Sequence, residues 1–154
     1  MNRAEHEEYR RGAFVVTTDP ARFDREAIHA FLTRSYWAEG IPPEVVNRSI
    51  EGSLGFGLFE DGRQIGFARV VTDRATFAYL ADVYVLESHR ARGLGRWLVE
   101  CVTAHPDLQG LRRWTLATRD AHDLYRRFGF ESLRAPERYM EKVRDRAYRA
   151  GATP

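Results

Sequence analysis

The chain has 154 residues, of which 24 are Lys or Arg and 22 are Asp or Glu, so its formal net charge is +2. A charge this small does not indicate a nucleic-acid-binding protein, and this length predicts a single globular domain over residues 1–154. One cysteine, Cys101, excludes an internal disulfide, and no apolar stretch approaches a signal or a membrane span, which together predict a cytoplasmic protein with no membrane partner.

The N-terminal half predicts a strand, two helices and a hairpin. The strand covers residues 14–17. Asp24 is expected to open a helix whose apolar spacing continues to Tyr36, and a second helix begins near Pro43, where the missing N–H costs nothing. Asp61-Gly62 separates two strand-like runs and therefore predicts a tight hairpin turn.

The stretch TFAYLADVYVL, residues 76–86, is apolar on both alternating faces and predicts a central strand covered above and below. From Leu94, apolar residues at i, i+3, i+4, i+7 and i+8 predict an amphipathic helix that ends at His105-Pro106. Residues 113–118 predict another strand, and the order strand, helix, strand predicts a parallel crossover connection.

The C-terminal part predicts a short helix and two final strands. Asp120 is expected to cap the helix, which Gly129 ends. The strands are expected at residues 130–133 and 138–143. The domain core then spans about residues 13–143, and residues 144–154 form a flexible tail.

The stretch HRARGLGRWL, residues 89–98, places glycines and arginines immediately before the predicted helix at Leu94. A helix N-terminus after such a turn presents unpaired N–H groups and the positive end of the helix dipole, which together bind phosphate oxygens. Gly93 and Gly95 allow close approach of the ligand. The charged neighbours Arg90, Arg92 and Arg96 could add hydrogen bonds to the same anion.

Two familiar phosphate loops do not fit these residues. A dinucleotide fingerprint needs a small residue where Leu98 stands, and a P-loop needs a Gly-Lys-Ser/Thr triplet, which the chain lacks. These residues are therefore consistent with an anion site of another class, or with an ordinary strand-to-helix turn, in which glycine and arginine are also common.

Two segments resemble the signatures of the GNAT superfamily of acetyl-coenzyme A (acetyl-CoA) dependent N-acetyltransferases. VLESHRARGLGRWL is similar to the coenzyme A signature, with Arg90, Gly93 and Gly95 after a strand ending in Val85. Glu87 and Ala91 depart from it, standing where Pro and Gly are common. LATRDAHDLYRRFGF is similar to the second signature, although Thr118 replaces the usual Asn.

The resemblance implies an α/β fold: a mixed, mostly antiparallel sheet of six or seven strands with helices on both faces. The sheet is splayed between its fourth and fifth strands, where acetyl-CoA is wedged. The implied activity is direct transfer of an acetyl group from acetyl-CoA to a primary amine of a small molecule or peptide. The implied coenzyme-binding residues are Val83, Tyr84, Val85, Arg90, Ala91, Arg92, Gly93, Leu94, Gly95, Arg96, Thr118 and Tyr125.

The resemblance also suggests catalytic roles for two residues. Tyr125 occupies the family's Leu-Tyr position, which implies that it protonates the departing thiolate; the alternative is a core aromatic whose hydroxyl only hydrogen-bonds the coenzyme. Asp82 is the only charged residue in the strand at 76–86, where an unpaired carboxylate would cost free energy. It is either a base or amine anchor, or a structural carboxylate that accepts backbone N–H bonds.

Other residues carry weaker signals. Tyr36 and Trp37 lie between the first two helices, which border the acceptor pocket in this family, and are equally consistent with core positions. His89 and His122 fit solvated loop or helix positions better than a base, and Cys101 fits a buried thiol in a helical stripe. No Cys/His cluster has metal-ligand spacing, so no catalytic metal is expected. Homodimers are common among proteins of this resemblance.

Two other functions compete with catalysis on a free amine. One is a non-catalytic domain that binds or senses acyl-CoA, against which the presence of both Tyr125 and Asp82 argues. The other is a toxin-like acetyltransferase that acts on aminoacyl-tRNA, suggested by the arginine content. Its acidic residues are interspersed with the basic ones, so a coherent basic face and a nucleic-acid partner are not expected.

Overall fold

The computed structural model describes residues 5–148. Within that range the chain forms one six-stranded sheet with α-helices on both faces. In chain order the elements are β1 Glu8–Arg11, β2 Phe14–Thr17, α1 Arg25–Leu32, α2 Pro43–Glu51, β3 Leu54–Glu60, β4 Arg63–Thr72, β5 Phe77–Val85, α3 Leu94–Ala104, β6 Arg113–Leu116 and α4 His122–Arg126. Spatial order follows chain order, and only the pair β5 and β6 is parallel. The predicted mixed, mostly antiparallel α/β fold is confirmed.

The sheet begins with one strand that was not predicted. β1 pairs with β2 through a turn at Gly12, whose φ is +58°. Three of its four residues are charged, so it has no apolar alternation, and it lies at the sheet edge where charged side chains are favoured. The hairpin between β3 and β4 is as predicted, because Asp61 and Gly62 both have positive φ, as a type I′ turn requires.

The first helix begins as predicted and ends early. Oδ1 of Asp24 accepts a hydrogen bond from the N–H of Ala27 at 3.0 Å, which caps α1. The helix ends at Leu32 and does not reach Tyr36. Ser35 Oγ donates to the carbonyl of Leu32 and accepts from the N–H of Ala38. These local bonds replace the next helical turn and place Tyr36 in a loop.

Two cores lie on opposite faces of the sheet. Helix α3 covers one face, with Leu98 and Val102 packed among residues of β3 and β4. Helices α1 and α2 cover part of the other, where they enclose Phe67 of β4 and Tyr84 of β5. Phe77 and Tyr79, on the same face as Tyr84, are exposed. The expectation that β5 is covered on both faces is therefore wrong for its first half, which α1 and α2 do not reach.

Glycine is required at Gly55 because the ring of Phe23 occupies the space above it. A Cβ at Gly55 would lie 2.7 Å from Cε2 of Phe23. We expect Gly55→Ala to lower the free energy of unfolding by roughly 1–3 kcal/mol, the usual cost of forced overpacking. The matched control is Gly52→Ala, whose Cβ would meet only the carbonyl of Arg48 at 3.5 Å. Equal urea midpoints for the two variants would contradict this account.

The sheet splays between β5 and β6. These strands pair only where Phe77–Leu80 lie beside Arg113–Leu116, and beyond Leu80 β5 pairs with β4 alone. β5 is the fourth predicted strand and β6 the fifth, since β1 adds one to the count. The predicted splay is confirmed, and it leaves an opening between the C-terminal ends of two parallel strands.

The C-terminal part differs from prediction. Neither 130–133 nor 138–143 forms a strand; a 3-10 turn at Pro136–Arg138 follows irregular chain. Proline removes one backbone donor there, and alternating side chains make a strand only where a neighbouring strand supplies hydrogen bonds. The expected cap at Asp120 is also wrong: the N-cap residue of α4 is Ala121, no side chain caps the helix, and Thr118 Oγ1 accepts from the N–H of Ala121. Of the expected tail, residues 144–146 are exposed and Tyr148 contacts the second core, while residues 149–154 lie outside the described range.

Candidate active site

The opening between β5 and β6 is a cleft of about 730 Å³. Its walls come from four places: the end of β5, the glycine loop before α3, helix α4 and the loop after α1. The predicted site residues that line it are Tyr36, Trp37, Val83, Tyr84, Val85, Arg90, Ala91, Gly93, Leu94, Gly95 and Tyr125. Four predicted site residues do not line the cleft, although each is next in sequence to a residue that does: Asp82, Arg92, Arg96 and Thr118.

The glycine loop turns the chain sharply into α3. Gly93 is the residue before the helix and has φ +75°, while Ala91 also has positive φ. A Cβ at Gly93 would meet nothing within 4 Å, so backbone conformation and not space requires glycine there. Arg90 Nε donates to the carbonyl of Val85 at 3.2 Å, which ties the loop to the end of β5. Gly93, Leu94 and Gly95 line the cleft, so the first N–H groups of α3, which lack helical partners, lie at its wall.

A β-bulge interrupts β5 beside the cleft. Phe67 pairs with Tyr84 and Arg69 with Ala81, so Ala68 alone faces both Asp82 and Val83. Asp82 is the inserted residue and has φ +54°, in the left-handed region. A bulge of this kind takes backbone groups out of the regular ladder and redirects neighbouring residues. Here it lies where β5 leaves β6 and the cleft opens.

The carboxylate of Asp82 is bound on both oxygens. Oδ2 accepts from Nε of Arg69 at 2.8 Å, and Oδ1 accepts from Nε1 of Trp37 at 2.9 Å. The Arg69 and Asp82 side chains are only 18% and 10% exposed. Arg69 also donates to Oγ of Ser53 at 3.0 Å. The buried charge is thus paired and hydrogen-bonded, as its burial requires, and it connects β5 to β4 and to the loop after α1.

Tyr125 is buried at the side of the cleft, with its ring packed edge-on against Phe130 at 5.9 Å. Burial, with a smaller contribution from nearby Tyr36, raises the pKa of Tyr125 to about 12. Its phenol is therefore protonated throughout the neutral range. Tyr84 is also buried, stacked on Phe31 at 3.8 Å, and burial raises its pKa as well.

Two adjacent aromatic residues connect the two sides of the cleft, one formed by β5 and the other by the chain after β6. Trp37 binds Asp82 on β5, while Tyr36 binds Arg119, which follows β6. The Tyr36 hydroxyl accepts from the N–H of Arg119 at 3.3 Å, and the Arg119 guanidinium carbon lies 3.9 Å from the centre of the Tyr36 ring. Both aromatics remain substantially exposed. They form part of the rim of the cleft.

Some neighbouring residues were missed or misplaced by sequence reasoning. Arg69 was missed, although a lone charge inside the apolar run QIGFARVV is the same signal that singled out Asp82. Arg119 carried no comparable signal. His89 was expected in solvent but is buried, with Nε2 3.1 Å from Glu60 Oε1 and Nδ1 2.7 Å from Ser88 Oγ. His122 is exposed and Cys101 is buried, as predicted.

The described part of the chain contains neither a cluster of metal-ligating side chains nor a helix that could span a membrane. Across residues 5–148, no three His, Cys, Asp or Glu side chains are grouped so that they could hold a metal ion. No helix in the same range has the length and apolar character needed to cross a membrane.

Comparisons with known proteins define the class of the molecule. A crystal structure from Xanthomonas campestris, described as a “putative acetyltransferase belonging to the gnat family”, is 50% identical with a TM-score of 0.87, covering 89% of this chain and 97% of that one. The Gibberella zeae protein named “Putative acetyltransferase FG08082” is 32% identical over 81% of this chain and 82% of its own length. Fold and sequence therefore define an acetyltransferase.

The family follows from a direct match. Residues 51–132 match the family described as acetyltransferase (GNAT) domain. The chain belongs to this family. The matched region contains the bulge, the glycine loop and Tyr125, whereas Tyr36 and Trp37 precede it. A Clostridium acetobutylicum structure described as a “predicted acetyltransferase with acetyl-CoA” shares the fold at 12% identity, with a TM-score of 0.60 over 90% of this chain and 95% of that one.

Proposed function

We propose that the protein is an N-acetyltransferase that transfers an acetyl group from acetyl-CoA to a primary amine of a small molecule or a peptide. The observation that supports this most is the cleft between β5 and β6, where the bulge, the glycine loop and Tyr125 meet within the family's matched region. Acetyl-CoA is the cosubstrate in this proposal, and the mechanism uses no metal.

In this proposal the coenzyme enters along the cleft with its pyrophosphate on the glycine loop. The N–H groups from about Arg92 to Arg96 receive the phosphate oxygens, supported by the dipole of α3. Arg92 and Arg96 are exposed beside the loop and add charge there. The main chain of Val83, Tyr84 and Val85 lies along the thioester end. The hydroxyl oxygen of Thr118 already accepts a hydrogen bond from the N–H of Ala121, the residue before α4, so Thr118 contributes to coenzyme binding by holding the start of that helix in place.

The reaction that we propose is direct attack. The neutral amine nitrogen forms a bond to the thioester carbonyl carbon, and the resulting oxyanion is stabilised by main-chain donors near residues 83–85. The carbon–sulfur bond then breaks. The coenzyme thiolate takes a proton, and the amine nitrogen loses one, so the products are an amide and a free thiol.

Tyr125 is the proposed proton donor to the thiolate. Giving its proton away outright would be unfavourable, because a pKa of about 12 stands about 3.5 units above that of a typical thiol, a difference on the order of 5 kcal/mol. The cost disappears if the acetylated nitrogen, still cationic, returns a proton to the phenol oxygen as the phenol proton passes to sulfur. Tyr125 then relays a proton from nitrogen to sulfur and ends unchanged.

Asp82 has a different role in this proposal. Its charge is balanced by Arg69, and each of its oxygens already accepts one hydrogen bond. That arrangement favours a carboxylate that positions the bulge and Trp37 over one that collects a proton. Each oxygen keeps a second lone pair, so Asp82 can still anchor the incoming amine. Tyr36 and Trp37 would contact the acceptor at the cleft rim.

Replacing Asp82 with asparagine tests that role. We expect Asp82→Asn to lower kcat/KM at least tenfold, mainly through a higher KM for the amine, because the Arg69 ion pair is lost. The shape of the pH profile should not change. Trp37→Phe removes the N–H that donates to Oδ1 of Asp82 and should also raise the KM for the amine. Loss of one limb of the kcat/KM profile in Asp82→Asn alone would identify Asp82 as the base and contradict the positioning role.

The overall proposal is tested by thiol release from acetyl-CoA across a panel of amines, amino acids and peptides, with a control that lacks acceptor. We expect release that depends on the acceptor, with a matching mass increase of one acetyl group on the amine. Tight coenzyme binding without turnover on any acceptor would favour an acyl-CoA-sensing domain. Turnover only with aminoacyl-tRNA would favour the toxin-like alternative.

A further inference from the structure

Helices α1 and α2 leave part of one sheet face uncovered. They enclose Phe67 and Tyr84, whereas the first half of β5, before the bulge, carries Phe77 and Tyr79 exposed on the same face. Tyr79 lies directly opposite Val71 of β4 in the register, and these three exposed side chains are 37–41% accessible. Val71, Phe77 and Tyr79 together form an apolar ledge beside the helices. Adjacent exposed apolar side chains of this size indicate a binding surface.

A line of hydrogen bonds marks the border between the covered part of the face and the ledge. Arg69 Nη1 donates to Oγ of Ser53, which follows α2, and Arg69 Nε donates to Asp82. Trp37 Nε1 donates to the same carboxylate. Arg69 lies opposite Ala81 in the register, and this pair is the next one on the face after the ledge residues of β4 and β5. The ledge is therefore continuous with the carboxylate beside the cleft.

The charges around the ledge do not favour a second positive group on a ligand. Arg69 lies at the end near the cleft, and Arg113 of β6 lies opposite Phe77 in the register, so two guanidinium groups border the same face. At the far end, Oδ1 of Asp73 already accepts three N–H bonds from residues 75–77. An ammonium group there would meet like charges, whereas an uncharged apolar group would lose contact with water favourably.

We propose that the acceptor amine carries an uncharged apolar group, preferably an aromatic ring, that packs on the apolar ledge while Asp82 holds the amine. The inference rests on the proposed function, in which the coenzyme fills the space between β5 and β6 and the amine nitrogen reaches its thioester. The rest of the acceptor then extends to the other side of Asp82. Tyr79 and Phe77 lie there within roughly 15 Å along the strand. Their rings offer a large contact area and favour edge-on or offset partner rings.

Selectivity among small amines tests this substrate class. Initial rates with acetyl-CoA are compared for 2-phenylethylamine, ethylamine and the diamine putrescine. We expect kcat/KM for 2-phenylethylamine to exceed both others by roughly tenfold or more, because its ring is buried on the ledge. Calorimetric binding of the same amines to the chain loaded with CoA should give the same order. Equal or weaker turnover and binding of 2-phenylethylamine would overturn the inference and leave the proposed function standing. The expected order of binding without turnover on any amine would contradict the proposed function and support the ledge.

One variant and its control connect the selectivity to the ledge. Tyr79→Thr removes the ring but keeps a residue suited to a strand. It should lower the ratio of kcat/KM for 2-phenylethylamine to that for ethylamine by roughly tenfold. Met140→Thr removes a 98% exposed apolar side chain outside the ledge and should keep the parent ratio. Equal ratios in the two variants would overturn the inference. A parent dimer in light scattering that Tyr79→Thr dissociates would overturn it as well, because a second copy would then cover the ledge.

Discussion

Gly93→Val is expected to weaken acetyl-CoA binding by roughly ten- to a hundredfold. The residue has φ +75°, and a side chain in the left-handed region costs about 1–2 kcal/mol, more for a branched one. If the backbone relaxes to avoid that cost, the N–H groups after it no longer point at a common phosphate. Isothermal titration calorimetry on folded protein measures the effect directly.

The matched control for this change is Gly12→Val. Gly12 also has positive φ, a Cβ there would meet nothing within 4 Å, and the turn between β1 and β2 lies outside the cleft. Both variants should lose similar thermal stability, while only Gly93→Val should lose affinity. Unchanged coenzyme affinity in Gly93→Val would show that the glycine loop is not part of the coenzyme-binding site.

Tyr125→Phe is expected to lower kcat by about 10²- to 10⁴-fold, the usual contribution of a positioned acid–base group. The substitution removes only the hydroxyl from a buried ring, so the packing against Phe130 should persist. The KM for acetyl-CoA should change little. Steady-state rates at saturating amine and coenzyme provide the measurement. Tyr9→Phe, a partly buried tyrosine outside the cleft, serves as the control.

The raised pKa of Tyr125 adds a pH prediction. An unperturbed tyrosine with a pKa near 10 would be half deprotonated at pH 10. With a pKa of about 12 the phenol keeps its proton, so kcat should show no decline from this group between pH 8 and pH 10. Full turnover by Tyr125→Phe at saturating substrate would leave Tyr125 as a core aromatic or a coenzyme contact.

The parts of the fold that could be predicted are those whose signal is local. The type I′ turn at Asp61-Gly62, the cap at Asp24 and the amphipathic stripe of α3 depend on neighbours within one or two turns of chain. β1 has no apolar alternation to reveal it. The strands expected at 130–133 and 138–143 have the pattern, but no neighbouring strand in their own chain pairs with them. Pairing across a sheet is not encoded in the segment alone.

The residues of the candidate site also differ in whether their signal is local or depends on distant parts of the chain. The glycine loop and Tyr125 could be located because each belongs to a compact signature with fixed spacing. The environment of Asp82 could not, since Arg69 and Trp37 lie 13 and 45 residues away along the chain. Burial of His89 and the contact of Tyr36 with Arg119 likewise depend on tertiary packing. Sequence therefore identified the carboxylate but not its partners, which decide what it does.

Binding of acetyl-CoA to the purified protein is the most direct test of the central claim, that the cleft between β5 and β6 is the coenzyme site. Calorimetric titration should give one site per chain, with affinity lost in Gly93→Val and retained in Gly12→Val. The affinity of the parent chain and of Gly12→Val should fall with rising salt, because arginine side chains and N–H groups bind the coenzyme phosphates. Absence of binding at millimolar acetyl-CoA, or equal affinity in both glycine variants, would contradict the account.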